Sequence, residues 1–422
     1  GITFNGGALR FLASFNLAST RAITLNAGGG TIDTGTFDTT ISQAIGGTGG
    51  LTKAGAGALI LSAANGYSGA TTISGGALVL TGAGSIAAST GVNLTDATAG
   101  FDVSGSSGAQ TIQDLSGVAD SIVALGSNSL TVGTSNSTTF SGGINGWGVF
   151  IKQGSGTLTL EGQSIFTGAV TINAGTLALA DFGDLSLSSL VTVATGATFD
   201  ISASSFPFSG IGNLAGGGTV QLGNMGLVLA NASGEFGGSI VDSGYGGLQI
   251  FGGSITLTGV STYRNVTQIW QGASLALKDA GSIADSLYIA FALNSTARAT
   301  FDISQTTAGA SVGGLYGPFG IGVVSLGGKT LTITNGTGTF NGVIQDGGVG
   351  GGTGGALTLA ASAQQGLGGI NTYTGATTIG LDAVLSLMGG GSIATSSGVD
   401  LAASGATLDI SSGSGDKTIR DL

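Results

Sequence analysis

The chain has 422 residues, of which 85 are Gly, 2 are Pro and 7% are charged, with a net charge of −11 at pH 7. His and Cys are both absent, which excludes Ser-His-Asp and Cys-His catalysis and the common zinc sites. The thin acidic charge makes nucleic acid and anionic membrane poor partners, and Gly, Ser, Thr and Asn break every apolar run before it reaches the ~18 residues needed to span a bilayer.

In chain order, residues 1 to 36 read as the tail of a repeating unit, and the first full unit opens at Phe37-Asp38-Thr39-Thr40-Ile41. Short apolar or β-branched runs follow at Leu59-Ile60-Leu61, Thr71-Thr72-Ile73 and Leu78-Val79-Leu80, separated by Gly, Ser, Asn and Ala clusters. Runs this short, punctuated this way, predict strands of three to five residues joined by turns. The opening anchor returns at Phe140 to Ile144, Phe236 to Ile240 and Phe340 to Ile344. The Leu-x-Leu anchor is assigned to 158–160, 255–257 and 357–359, and the aromatic after it to Tyr67, Phe166, Tyr263 and Tyr373. Last comes a Phe/Leu-Asp-Ile/Val-Ser tetrapeptide starting at Phe101, Phe199, Phe301 and Leu408.

Those starts are 98, 102 and 107 residues apart, too far for one solenoid turn, so each unit holds several. The boundaries are 1–36 (partial), 37–139, 140–235, 236–339 and 340–422 (partial), within one continuous domain, 1–422. An array cut in mid-unit at both ends reads as a piece of something longer. Period two sends the outer residues of each Leu-x-Leu inward. A single coil of three strands has almost no core, but coils stacked about 4.8 Å apart pair their backbones and align their inward side chains. The expected fold is an all-β, right-handed parallel β-helix of about 20 coils, its handedness resting on the crossover rule. A β-propeller is the weaker alternative.

The residues also support a family comparison. GTGGLTKAGAGALILS at 47–62, YSGATTI at 67–73 and GALVL at 76–80 closely resemble the autotransporter-associated β-strand, or passenger-associated transport, repeat. IKQGSGTLTL at 151–160, FTGAVTI at 166–172 and YTGATTI at 373–379 keep the pattern, whereas YRNVTQI at 263–269 departs from it. The resemblance implies the passenger β-helix of a Gram-negative autotransporter, at the cell surface or extracellular, exported through a C-terminal outer-membrane β-barrel that lies outside these residues. It further implies a non-enzymatic adhesin or structural stalk meeting host, neighbouring-cell or matrix components, with no cofactor. It would also account for the missing Cys, since cross-links would obstruct export. A self-assembling filament or surface layer, which requires self-association, and a carbohydrate-active β-helix enzyme are the alternative functions.

Chemistry-bearing residues have structural readings. Asp102, Asp200, Asp302 and Asp409 recur in register but would lie roughly 24 Å apart, too far to share a metal, so each is expected to bond backbone N–H groups at a corner. Asp96 with Asp114, and Asp102 with Asp120, are 18 residues apart and could stack as the acids of a polysaccharide lyase, but no Lys or Arg lies between Lys53 and Lys152. Those two lysines read as solvated turn residues. In the fourth unit Tyr373 follows Leu359 by a step of fourteen where the other units have a step of six, which predicts a loop around Ala361 to Gly369 carrying Gln364 and Gln365. With it, Trp147, Trp270, Phe206, Phe208, Tyr316 and Phe319 form the candidate partner-binding set.

Overall fold

The structure, a computed structural model, describes residues 1–292, 297–317 and 320–422. It is an all-β parallel solenoid of about 19 turns with no helix among the described residues, and it divides into two compact units, Gly1–Ser209 and Gly210–Leu422.

In the first unit Leu59, Leu78, Phe101, Val123 and Ile144 stand in register on successive parallel strands. A turn of the helix therefore takes 19 to 23 residues. In the second unit Ile255, Leu275, Phe301, Val324 and Ile344 form the matching ladder. Every member of both ladders is at most 2% exposed. Alternation produces this directly: strands such as Leu59–Leu61 and Thr71–Ile73 bury their outer residues and half-expose the middle one. Where coils press together the corner must be Gly. A Cβ on Gly148 would sit 1.8 Å from the Asn128 carbonyl oxygen, and one on Gly168 1.6 Å from that of Gly148.

The Phe-Asp-x-Ser anchor is a β-bulge. Val79 pairs with Asp102 and Thr81 with Gly105, so the anchor strand carries one extra residue, and the same slip follows Asp200 and Asp302. As expected, the Asp carboxylate holds the bend: Asp102, Asp200, Asp302 and Asp409 each accept the N–H two residues on, at 2.8 to 2.9 Å. Phe101, Phe199 and Phe301 point inward and are fully buried. Leu408 is half-buried, because its strand, Thr407–Asp409, has a paired neighbour on one side only.

The lysine reading is corrected. Lys53 stands in an apolar ladder between Ile32 and Ile73, and Lys152 between Val132 and Ile172. Neither is solvated: the first is 0% and the second 1% exposed. The Lys53 ammonium donates to the carbonyls of Ala54, Gly55 and, one coil on, Gly75, at 2.8 to 3.0 Å. Lys152 repeats this with Gln153, Gly154 and Ala174. Three carbonyls converging inside a corner can hold a cation that the bare core could not. Burial nonetheless pushes Lys53 down to about 8, opposed by the Asp33 and Asp38 carboxylates, and lowers Lys152 too. In the third copy the structural equivalent is the inward Ile250, which pairs with Ile269.

A second polar device crosses the core. The buried Tyr67 hydroxyl meets Thr71 at 2.7 Å, and Thr71 meets Ser89 on the next coil at 2.9 Å. Tyr263–Thr267–Ser286 and Tyr373–Thr377–Ser396 are the same chain. In the second copy Phe166 replaces Tyr and Val170 replaces Thr together, leaving Ser188 bonded only to the Gly168 and Leu190 carbonyls. The pair changes as a unit because a buried hydroxyl without a partner is costly.

Two outcomes follow. Tyr67→Phe and Thr71→Val should each destabilise by about 1 kcal/mol, and the double variant should cost about 1 kcal/mol less than their sum, as urea unfolding would read it; strict additivity contradicts the chain. Secondly, the folded protein releases the Lys53 proton near pH 8 while the unfolded chain holds it to 10.5. Relative to Lys53→Met, stability should therefore rise on the order of 1 to 2 kcal/mol from pH 8 to 10.5, allowing for solvent screening. A flat or falling difference contradicts a buried, desolvated ammonium.

Candidate functional site

The predicted loop at Ala361 to Gly369 does not exist. Gln364–Leu367 is a strand, in register with Val384–Leu387, as Leu59–Leu61 is with Leu78, Val79 and Leu80. Gln365 occupies the inward place of Leu59, Leu158 and Ile255. It is 2% exposed, and its amide accepts the Leu315 N–H and donates to the Leu315, Gly338 and Gly366 carbonyls. A polar residue on the inner ladder disguised the anchor. Counted from Leu367, the distance to Tyr373 is the usual six.

The extra residues lie earlier, at Asp346 to Gly355. The anchor Ile of the first copy is Ile45 and not Ile41, because Ile41 pairs with Leu61 as Phe140 does with Leu160. From that Ile to the next inward strand residue the first two copies take six residues, Ile45 to Leu51 and Ile144 to Phe150. The third takes eight, Ile240 to Leu248, and the fourth thirteen, Ile344 to Leu357. In the short turns the third position is Gly47 or Gly146, whose carbonyl accepts the N–H of Ser68 or Thr167. In the long turns it is Asp242 or Asp346, and the carboxylate takes over that bond to Arg264 or Thr374. The same carboxylates gather the far end of the loop, Asp242 accepting Gly246 N–H and Asp346 those of Gly354 and Gly355. The fourth-copy loop is also pinned at its tip, where Val349 N–H donates to Asp302 and Gly350 N–H to the Ser304 hydroxyl. Longer turns are thus ordered, with Asp substituted for Gly at one corner position.

That corner displays large exposed side chains. Trp147 of the second copy is 69% exposed, Tyr245 of the third 72% and Val349 of the fourth 75%. Tyr245 and Val349 went unnoticed in the sequence, although Asp in place of the corner Gly marked both loops. Trp270 is only half-exposed, its ring packed on Phe251 at 5.0 Å, with an indole N–H that has no partner. Phe206 leans edge-on against Phe182 at 6.1 Å, and Phe208 and Tyr316 are exposed, Tyr316 beside Tyr288. Gln364 is exposed; Phe319 lies outside the described residues. The structure does not bring the candidate set together into one site.

The lyase-like acid pairs do not stack. Asp114 pairs with Gly91 and not Asp96, and binds Thr134 and Asn136; Asp102 pairs with Ala124 and not Asp120. Among the described residues no three acids stand close enough to hold a metal ion.

Residues 51–85 and 150–179 match the family profile described as passenger-associated-transport-repeat. The chain is 32% identical over 393 residues to a protein named adhesin BmaC autotransporter, from Brucella suis biovar 1 (strain 1330). The alignment takes in 89% of this chain and 11% of that protein, so the chain spans about a ninth of that relative's length. No solved structure matches the chain.

Proposed function

From the premise that this parallel β-helix carries passenger-associated-transport repeats, we propose that the chain is a surface-exposed passenger segment of a Gram-negative autotransporter, acting in adhesion. The observation that carries the reading is the position of the matched residues. Segments 51–85 and 150–179 are the coils that include the buried lysine and the aromatic anchor, so the repeat is the stacking unit itself. A chain emerging through an outer-membrane barrel can add such coils one at a time to those already folded, because each contacts only its neighbours. The name of the Brucella relative supports adhesion as the role. The two buried lysines are spent on backbone carbonyls and the buried tyrosines on Thr hydroxyls, which supports a non-enzymatic role and puts contact with a cell or matrix target on the corners.

Shortening Asp346–Ala356 to the four-residue turn Gly47–Gly50, and changing Trp147 or Tyr245 to Ala, should each lower attachment of expressing cells to epithelial cells or matrix. We expect about a three-fold loss or more, the scale of one peripheral hot spot, with the β-sheet circular dichroism unchanged in all three variants and the melting unchanged in the two point variants. Full attachment by all three variants would contradict corner-mediated adhesion and favour a stalk.

A further inference from the structure

One concave surface in the first unit uses none of these corners. A cavity of about 680 Å³ opens beside the ends of four consecutive stacked strands, Asp114–Gly117, Thr138–Phe140, Thr157–Leu160 and Thr176–Asp181. Its apolar lining comes from Ile122, Ile165 and Phe182, which are 44%, 68% and 61% exposed. Asp120, Glu161 and Asp181 line it as well, and no Lys or Arg does. Among the described residues the carboxylates of Asp120 and Asp181 accept no hydrogen bond, and Glu161 accepts only the Ser141 hydroxyl. No local base balances them: between residues 54 and 263 the sequence contains one, Lys152, and its ammonium is enclosed by carbonyls inside the helix.

Three uncompensated carboxylates in an apolar groove select a cation that is itself apolar in part. Too dispersed to hold one metal ion, they follow the strand ends at about 4.8 Å per coil, a span of roughly 15 Å. An extended peptide of about five residues covers that length. Phe182 is specific to this copy, Ala83, Ala280 and Gly390 standing at the matching positions, and Phe206 supports its ring from the next coil. We propose that this groove binds an extended peptide segment in which Lys or Arg alternates with apolar side chains. The inference deepens the adhesive reading and rests on it only for its biological setting, since binding to the purified chain is measured without cells.

The test is fluorescence anisotropy of a labelled Lys-Leu-Lys-Phe-Lys-Leu peptide with the 422-residue chain. Asp120→Asn, Glu161→Gln and Asp181→Asn together should weaken binding about ten-fold or more at low salt, while Asp96→Asn, an exposed acid outside the groove, changes it less than about two-fold. Asp120 and Asp181 have φ of 68° and 48°, which Asn tolerates, so these changes preserve the backbone. Ile165→Ser with Phe182→Ser should weaken binding about five-fold at high salt, where the charge term is screened. The proposal is overturned if the triple variant binds like the parent, or if Asp96→Asn costs as much as the triple. It is equally overturned if a neutral oligosaccharide such as cellohexaose competes for the groove and the peptide does not. Loss of attachment in the corner variants with peptide binding intact, or the reverse, separates failure of one reading from failure of the other.

Discussion

A coil of about twenty residues cannot bury anything alone, and everything else in this protein follows from that deficit. Its inward Leu, Ile, Val and Phe become core only when the coils on either side supply the same row, and its backbone N–H and C=O groups are satisfied only by those neighbours. Register is therefore under tight control: a one-residue slip would turn Phe101 outward and Asp102 inward. The Asp that accepts the N–H two residues on sets the bulge at the same point in the first three copies. Such a core resists large changes in side-chain volume, which confines variation to the corners.

The polar groups inside the stack obey the same rule. Lys53 and Lys152 sit in ladders of Ile and Val because each ammonium finds three carbonyls, one of them on the next coil. Gln365 replaces an inward Leu because the Leu315, Gly338 and Gly366 carbonyls receive its amide and the Leu315 N–H meets its oxygen. Asn65 and Asn371 accept the N–H of the anchor Ile45 and Ile344, and donate to two carbonyls each. In each case a side chain ties adjacent coils through backbone groups that the sheet ladder leaves free. These contacts bond coil to coil, so their chemistry is directed inward and is unavailable to a substrate.

What could be read in the sequence was whatever repeats. The strands, their inward faces, the stacked architecture and the bulge Asp all followed from apolar spacing and from four copies of one pattern. The lysines were misread because the usual cost of burying an ammonium outweighs pattern when the receiving carbonyls are unknown; those carbonyls belong to turns, which period does not place. The fourth-copy loop was misplaced because Gln365 breaks the Leu-x-Leu anchor, and Leu357-Thr358-Leu359, on a different face, imitates it. Pairing of Gln365 with Leu385 corrects the alignment. The acidic groove was invisible for another reason: Asp120, Glu161 and Asp181 are scattered in sequence and meet only through stacking.

The absence of Cys from these 422 residues permits one measurement, read against the unsubstituted protein, that bears on both the stacking and the placement of this chain. In the full-length protein in its own cells, Val349→Cys and Leu359→Cys would be treated with a membrane-impermeant maleimide before and after denaturation. Val349 is 75% and Leu359 0% exposed. The account predicts that Val349→Cys reacts on intact cells and that Leu359→Cys reacts only once the protein is unfolded. Labelling of neither until the cells are lysed would contradict surface display, and equal labelling of both on intact cells would contradict the stacked core.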